Sequence, residues 1–407
     1  MAWHDILGAG SDGAGDVEGV AKKGRNPARR VSKRKPRNDP VGRAVKLEHV
    51  EKILIIRLRR IGDVVSVTPC TRAVKEAFPT AHLSVLVEKT AEGVMLGNPY
   101  VDELIVLDRE KHARAGRLGV LQNELSFLLR LRRKRFDLVI NLHGGPRSSI
   151  QTLASGAKYR LGGFPVRHPW NWVYNIRTLA LKETLGCDNG KAHIVLRHLA
   201  TLQAAGIRSR DPSLIMAVTE AAQVSLDRLL HEQGVRNVGQ IVTIHPASRG
   251  WTAQWREERF AQLADRLIEE FGVAVVLTSG PWEREISRRV KHAMRNEAVD
   301  LGGLTSIQEM AALFKRSALF IGLDGGPVHI AAAVGTPLVA LYGPTGDIWR
   351  PWTNRGVVVR AADPCLGCPK GCPSNPPLCM DAIGVDQVFG AIRDMGFGFR
   401  SVACSSS

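Results

Sequence analysis

The chain has 407 residues, 44% of them hydrophobic, which is enough for two domains with sizeable cores. No run of about 18 apolar residues occurs, so a membrane-spanning helix is excluded, and no apolar stretch follows a basic start, so a Sec-type signal is not expected. The net charge of +17 is unevenly spread, and four of the seven cysteines crowd into 365–379, unlike a secreted disulfide framework. A cytoplasmic protein is the expectation.

Lys22–Lys46 holds eleven Lys/Arg against one acid, Asp39, with Pro, Gly, Asn and Ser and no apolar period. This composition predicts a disordered basic tail over 1–48. It could touch an anionic membrane surface or stay solvated. The run Lys22–Lys46 contains no aromatic residue for base stacking, so nucleic acid is not the expected partner.

Folded sequence begins near Glu51. Ile53–Ile56 predicts a buried strand, and Arg57 to Asp63 the loop after it. Val64 to Phe78 predicts a helix with Pro69 as a kink or late first turn. Leu83–Val87 and Glu103–Leu107 are further strands, with a turn at Asn98-Pro99. Alternating strands and helices argue for an α/β fold with doubly wound parallel sheets. Asp63 lies beyond a strand's C-terminal end, where such sheets place ligands. It could be a general base or only a helix cap. Arg57, Arg59 and Arg60 beside it would attract anionic groups.

Arg109–Arg135 carries nine Lys/Arg against Glu110 and Glu124. Leu118, Leu121, Leu125, Leu128 and Leu129 recur at roughly helical spacing, predicting an amphipathic helix whose Leu face packs on the sheet and whose basic ends face solvent or membrane phosphates. After the strand Leu138–Ile140 comes a loop in which His143 and Arg147 could hold a phosphate or carboxylate. Residues 159–175, with Arg160, Phe164, Arg167, Trp170 and Trp172, predict a long surface loop. His193–Ala205 is helical, and a domain boundary is expected near 225.

The second domain opens with the strand Gln240–Ile244. In the following loop Ser248 and Arg249 could meet phosphate oxygens. A helix over Trp255–Phe271 and a strand over Ala274–Leu277 follow. Gly280, in the loop after that strand, and Thr305, just before the helix Ser306–Phe314, fall on the ligand side of the sheet. Leu319–Thr345 then reads as strand, tight turn, helix, tight turn and strand. Asp324-Gly325-Gly326 lets backbone N–H groups approach a ligand, and Pro327 opens a helix of small residues ended by Gly335 and Pro337. The turn is either an anion cradle or a packing device. Cys365, Cys368, Cys372 and Cys379 could build a structural zinc site or a local proline-stiffened loop. A helix over Val385–Met395 closes the fold, and 396–407 is an expected frayed tail.

Asp324-Gly325-Gly326-Pro327-Val328-His329, then Gly335-Thr336-Pro337 and Tyr342-Gly343-Pro344-Thr345, resembles the donor signature of the lipopolysaccharide heptosyltransferases, glycosyltransferase family nine. Ile55-Ile56-Arg57 through Gly62-Asp63-Val64 with Thr68-Pro69 is similar to that family's opening motif. The resemblance covers about 51–395. It implies two Rossmann-like domains facing across a cleft (the GT-B arrangement), an acceptor domain over 49–225 and a nucleotide-sugar domain over 226–395. It also implies an inverting, metal-independent transfer from ADP-heptose to inner-core lipopolysaccharide at the inner face of the inner membrane, with no cofactor. Asp63 would be the base. Ser248, Arg249, Gly280, Thr305, Asp324, Gly325, Gly326 and His329 would meet the donor, and Arg57, Arg60, His143 and Arg147 the acceptor. The sequence departs where the family commonly has a Lys before a Trp: Ala253 stands there, two residues before Trp255, and Arg249 or Arg256 would have to supply the charge. A transferase of another nucleotide sugar, an epimerase or hydrolase, and a non-catalytic polyanion binder are the alternatives.

Overall fold

The computed structural model describes residues 46–109, 116–163, 168–178, 192–235, 239–343, 345–361, 372 and 377–396. The tails before 46 and after 396, Phe164, Arg167, Pro344, Cys365 and Cys368 lie outside them, and with them two of the four cysteines of the expected zinc group. The described residues fall in one compact unit.

The first half carries strands β1 (Lys52–Ile56), β2 (His82–Glu88), β3 (Glu103–Leu107), β4 (Leu138–Asn141), β5 (Tyr159–Gly162) and β6 (Ile176–Arg177). Between them lie helices α1 (Ile61–Ser66), α2 (Thr68–Ala77), α3 (Glu92–Met95), α4 (Gly116–Arg133) and α5 (Pro146–Ser155). Helices α6 (Ile194–Gln203) and α7 (Glu220–Glu232) lead to the second half. There β7 (Ile241–His245), α8 (Glu257–Phe271), β8 (Ala274–Leu277), α9 (Arg284–Ala293), β9 (Val299–Asp300) and α10 (Ile307–Arg316) are followed by β10 (Leu319–Leu323), α11 (Gly326–Ala333), β11 (Leu338–Leu341) and β12 (Gly356–Val359). Helices α12 (Leu378–Asp381) and α13 (Val385–Asp394) come last.

Both sheets are parallel throughout. Their orders are β3-β2-β1-β4-β5-β6 and β12-β11-β10-β7-β8-β9. The direction of winding reverses between β1 and β4 and between β7 and β10. Open α/β sheets bind ligands at the carboxyl ends of such strands. The four loops so placed follow Ile56, Asn141, His245 and Leu323. Strand residues such as Ile53–Ile56 and Leu319–Ile321 are fully buried, as strands covered on both faces must be. One apolar core runs from Ile53 and Val85 in the first sheet to Phe320 and Tyr342 in the second.

Several expectations are corrected. Tyr159–Gly162 is a strand paired with β4, not part of a surface loop; its alternating run of Tyr, Arg, Leu and Gly hid it. Residue 225, near which the boundary is expected, lies in α7, and α7 packs on α10. Of the two expectations for Pro69, the place in a first turn holds and the kink does not. The chain breaks at Val67 into α1 and α2, with the Pro in the first turn of α2, where a missing N–H costs nothing. The Leu face of α4 is turned the other way: Phe127 and Leu131 are buried, while Leu121, Leu125 and Leu129 are 66%, 56% and 49% exposed.

Candidate active site

The loop after β1 begins with a buried arginine. Arg57 donates to the Leu142 carbonyl after β4 and places its Nη2 3.2 Å from Asp63 Oδ1. Burial pulls this guanidinium below its ordinary pKa, and Asp63 beside it pushes back. Its Nε is buried without a partner among the described residues. Asp63 sits in the first turn of α1, but no side chain caps that helix, so its carboxylate is committed to Arg57 rather than to helix N–H groups. Arg60 precedes α1 at φ 60°, a left-handed conformation that strains a residue with a Cβ. Arg59 and Arg60 are exposed.

Two imidazoles stand near Arg57. Burial lowers the pKa of His143 to about 4, and Arg57, Arg59 and Arg109 add to the effect. His198, on α6, is driven well down by burial and then by Arg57. Each keeps a buried ring nitrogen without a partner among the described residues, Nδ1 of His143 and Nε2 of His198. Sequence reasoning missed His198; its only signal was a polar residue on the inward face of an otherwise apolar helix. Arg147, expected on the acceptor, is paired with Glu124 of α4.

In the second half, Ser248 donates from Oγ to the Asp324 carbonyl at 3.0 Å, tying the loop after β7 to the turn after β10. Gln254 Nε2 donates to the Pro246 carbonyl, and its Oε1 accepts from the Ser248 N–H. Ala253 is buried, so no cation projects from that position. Arg256, one of the two expected substitutes, is held by Asp381. Arg249 is exposed and makes no ion pair among the described residues, which leaves it as the cation of this loop. The Thr305 hydroxyl is buried without a partner among the described residues. Gly280 lies under Glu283, whose Oε2 occupies the place where a Cβ at Gly280 would stand.

Asp324 is largely enclosed. Burial raises its carboxyl, while the Thr345 hydroxyl that donates to Oδ2, the neighbouring Tyr342 and the charge of Arg360 lower it. Arg360 in turn donates to the Thr345 carbonyl at 2.7 Å. Cys379 and Met380 pack under this turn, where Sγ and Sδ would be 3.5 Å and 3.2 Å from a Cβ at Gly343.

The two halves meet at α1 and α11. A Cβ on Gly62 would stand 2.5 Å from His329 Cδ2, and one on Gly326 would stand 2.8 Å from Ile61 Cβ. Gly326 is thus small because the opposite helix presses on it, whatever else its N–H does. His329 faces Gly62 and is lowered to about 4 by burial and by His193, so at neutral pH it brings a hydrogen-bonding ring but no charge. Elsewhere Gln308 of α10 donates to the Gly93 and Ala217 carbonyls at 2.6 and 3.0 Å, and His193 Nε2 lies 2.7 Å from the Arg350 carbonyl. The cluster therefore joins a paired carboxylate on one sheet to a glycine-opened helix N-terminus on the other.

Comparison with known proteins agrees in kind. Residues 125–376 match the family model described as glycosyltransferase family 9 (heptosyltransferase), an interval that begins after Asp63. Lipopolysaccharide heptosyltransferase 3 of Escherichia coli (strain K12) is 29% identical over 301 residues, 73% of this chain and 84% of the relative. The lipopolysaccharide core heptosyltransferase OpsX of Haemophilus influenzae is 24% identical over 298 residues, 72% of this chain and 80% of the relative. The crystal structure of a glycosyl transferase family 9 protein from Veillonella parvula superposes with a TM-score of 0.75 at 24% identity, covering 87% of this chain and 99% of that one. Escherichia coli ADP-heptose lipopolysaccharide heptosyltransferase II superposes at 0.67 and 21% identity, covering 84% and 98%.

Proposed function

The chain belongs to glycosyltransferase family 9, the heptosyltransferases, and has the GT-B arrangement of two Rossmann-like sheets; from that premise we propose that it moves heptose from ADP-heptose to inner-core lipopolysaccharide, with inversion and without a divalent ion. The observation that carries this is the meeting of α1 and α11. Asp63, held by Arg57, lies one residue from Gly62, which presses on the helix that the donor turn opens.

In this reading the Asp63 carboxylate takes the proton of an acceptor hydroxyl. The hydroxyl oxygen bonds to the anomeric carbon from the face opposite the leaving group. The bond from that carbon to the β-phosphate oxygen breaks, and its electron pair leaves on ADP. Arg249 and the N–H groups of the first turn of α11 stabilise the departing diphosphate. Ser248, bonded to the Asp324 carbonyl, shapes the turn more than it meets phosphate. Asp324, shielded by Thr345 and Arg360, orients the turn or meets sugar hydroxyls, since a carboxylate facing phosphate would repel it. Thr305 offers the nucleotide a buried hydroxyl without a partner among the described residues, and the Gly280 backbone can meet it only where the Glu283 carboxylate that covers this glycine moves aside. Arg60, His143 and Arg147 line the acceptor side, where Arg147 would have to exchange Glu124 for an acceptor anion. Three of the four proteins named above act on lipopolysaccharide by name, and an acceptor of that class is presented at a membrane. Among the described residues no helix is long and apolar enough to cross one, so we place this chain peripherally on the cytoplasmic face of the inner membrane.

The test is transfer to heptose-deficient core lipopolysaccharide, offering ADP-heptose and other nucleotide sugars. Wild type should transfer heptose, and Asp63→Asn should lose about 10²- to 10⁴-fold in kcat while still binding ADP, the usual span for a general base. Undiminished transfer by the variant would make Asp63 a structural partner of Arg57 only. One observation favours a second reading: the buried Ala253 leaves Arg249 as the cation of its loop, and a different nucleotide sugar as the preferred donor would follow from that. Consumption of donor without any acceptor would instead mark a hydrolase or epimerase.

A further inference from the structure

Helices α4 and α5 lie side by side and run in the same direction. Arg147 in the first turn of α5 reaches Glu124 of α4, and the Arg132 guanidinium of α4 lies against Gly156 at the far end of α5. The two anchor points are eight residues apart on one helix and nine on the other, about 12 and 13.5 Å at 1.5 Å per residue. Both helices leave apolar residues outward. Leu121, Leu125 and Leu129 form one stripe at successive turns, and Ile150 and Leu153, 42% and 41% exposed, form the second. Scattered exposed leucines need no explanation, but a parallel pair of stripes on one face is a surface made to be covered.

The rim of this face is cationic. Residues 116–135 hold Arg117, Arg130, Arg132, Arg133, Lys134 and Arg135 against Glu124 alone, and Glu124 is neutralised by Arg147. Arg130, Arg133 and Arg135 are exposed and make no ion pair among the described residues. Apolar stripes bordered by unpaired arginines match the boundary of an anionic bilayer, where side chains enter the acyl region and guanidinium groups meet lipid phosphates. A second copy would bring the same cations into opposition. The chain's own Lys22–Lys46 segment, with its surplus of ten positive charges, would be repelled for the same reason.

We propose that the outer face of α4 and α5 is the surface that seats the chain on an anionic lipid bilayer, with Leu121, Leu125, Leu129, Ile150 and Leu153 inserting and Arg130 and Arg133 on headgroup phosphates. This deepens the reading that the chain works at a membrane, and it rests on that reading only for its location. Because Asn141 and Pro146 bracket the acceptor-side loop, and Pro146 also opens α5, the same element that touches lipid carries that loop.

The experiment uses the full chain and vesicles of phosphatidylglycerol in phosphatidylcholine, free of lipopolysaccharide. Wild type should co-sediment with them, more weakly as salt rises, and bind pure phosphatidylcholine poorly. Leu125→Glu with Leu129→Glu should weaken binding about tenfold or more, because charge replaces inserting side chains. The melting temperature and transfer to detergent-dispersed acceptor should be unchanged. The milder Leu125→Ala with Leu129→Ala should fall between. Wild-type-like vesicle binding by both variants would overturn the proposal and assign any lipid contact to the basic N-terminal segment. A wild-type dimer that the same substitutions dissociate, with vesicle binding unaltered, would place a second copy on this face and also overturn it. Vesicle binding that depends on the leucines, together with no heptose transfer by wild type, would sink the proposed function and leave this surface standing.

Discussion

Arg57 is the residue on which the first half of the site depends. Its guanidinium is buried, bonds the Leu142 carbonyl and pairs with Asp63, so one side chain joins the loops after β1 and β4. A fully buried pair that loses one partner costs about 3–5 kcal/mol, and the cost here is smaller because the Asp63 side chain keeps 19% of its exposure and can be solvated. Arg57→Ala should therefore lower the melting temperature by several degrees. Arg57→Lys keeps the charge but cannot bond the carbonyl and the carboxylate in one plane. It should fold, and should lose about tenfold to a hundredfold in kcat with donor affinity kept, read from initial rates and ADP titration. Unaltered kcat in Arg57→Lys would mean that the orientation of Asp63 does not matter to the step. The place of Asp63 just past an apolar strand, among arginines, was legible in the sequence, but its use was not: the residues alone left base and helix cap open, and the base role came from the family resemblance. His198 was not legible. Its neighbour Arg57 is 141 positions away, and one histidine in an apolar helix gives no hint of what it faces.

At the level of elements, the contact between α1 and α11 decides whether the two halves can close as they do. Gly62 lies in a helix and needs no unusual backbone, so alanine there would even favour α1 by about 1 kcal/mol of propensity. The added methyl would nonetheless stand 2.5 Å from the His329 ring. Gly62→Ala should hence reduce kcat about tenfold or more through separation of the helices, with little loss of stability. Removing the ring as well gives the decisive comparison. Thermal midpoints of Gly62→Ala, His329→Ala and the double variant should show a coupling of about 1 kcal/mol or more, as for residues in direct contact. Additive midpoints would mean that the halves do not press together here. The glycines of the donor turn were readable as a tight approach, but not what approaches. A sequence shows that room was left, and only the fold shows that Ile61 fills it at Gly326 and that His329 of the same helix fills the room at Gly62 opposite. The orientation of α4 escaped for a related reason. Leu121, Leu125 and Leu129 repeat at helical spacing, yet so do Phe127, Leu128 and Leu131 on the neighbouring arc. Period alone cannot say which stripe meets the sheet.

Across the whole molecule, the alternation of strands and helices was enough to foresee two parallel sheets, because buried parallel strands must be nearly all apolar and must be joined by helices. The division between the halves was less plain, since α7 has the composition of a linker helix and declares its side only by packing on α10. Burial of histidines has a further global consequence. His143 and His245 in separate halves, and His329 at their junction, all have pKa values lowered to about 4 from 6.5, and His193 and His198 are lowered too. In each case burial is the leading cause. The unfolded chain would bind these protons near pH 6.5 while the folded chain refuses them. Stability is therefore complete above about pH 6.5 and is lost as pH falls toward 4, by about 1.4 kcal/mol per unit for each proton taken up only on unfolding. Asp324, whose carboxyl burial raises, acts in the opposite sense but as one group against several. Urea midpoints measured at pH 7.5, 6.5, 5.5 and 4.5 should be nearly level at first and then drop with a slope of more than one proton. His245→Gln can keep the 3.0 Å bond to the Thr278 hydroxyl but cannot titrate, so its curve should be shallower by up to one proton. A wild-type midpoint that stays level down to pH 4.5 would show that these rings gain protons in the native state, and that the enclosed interior joining the two sheets admits charge.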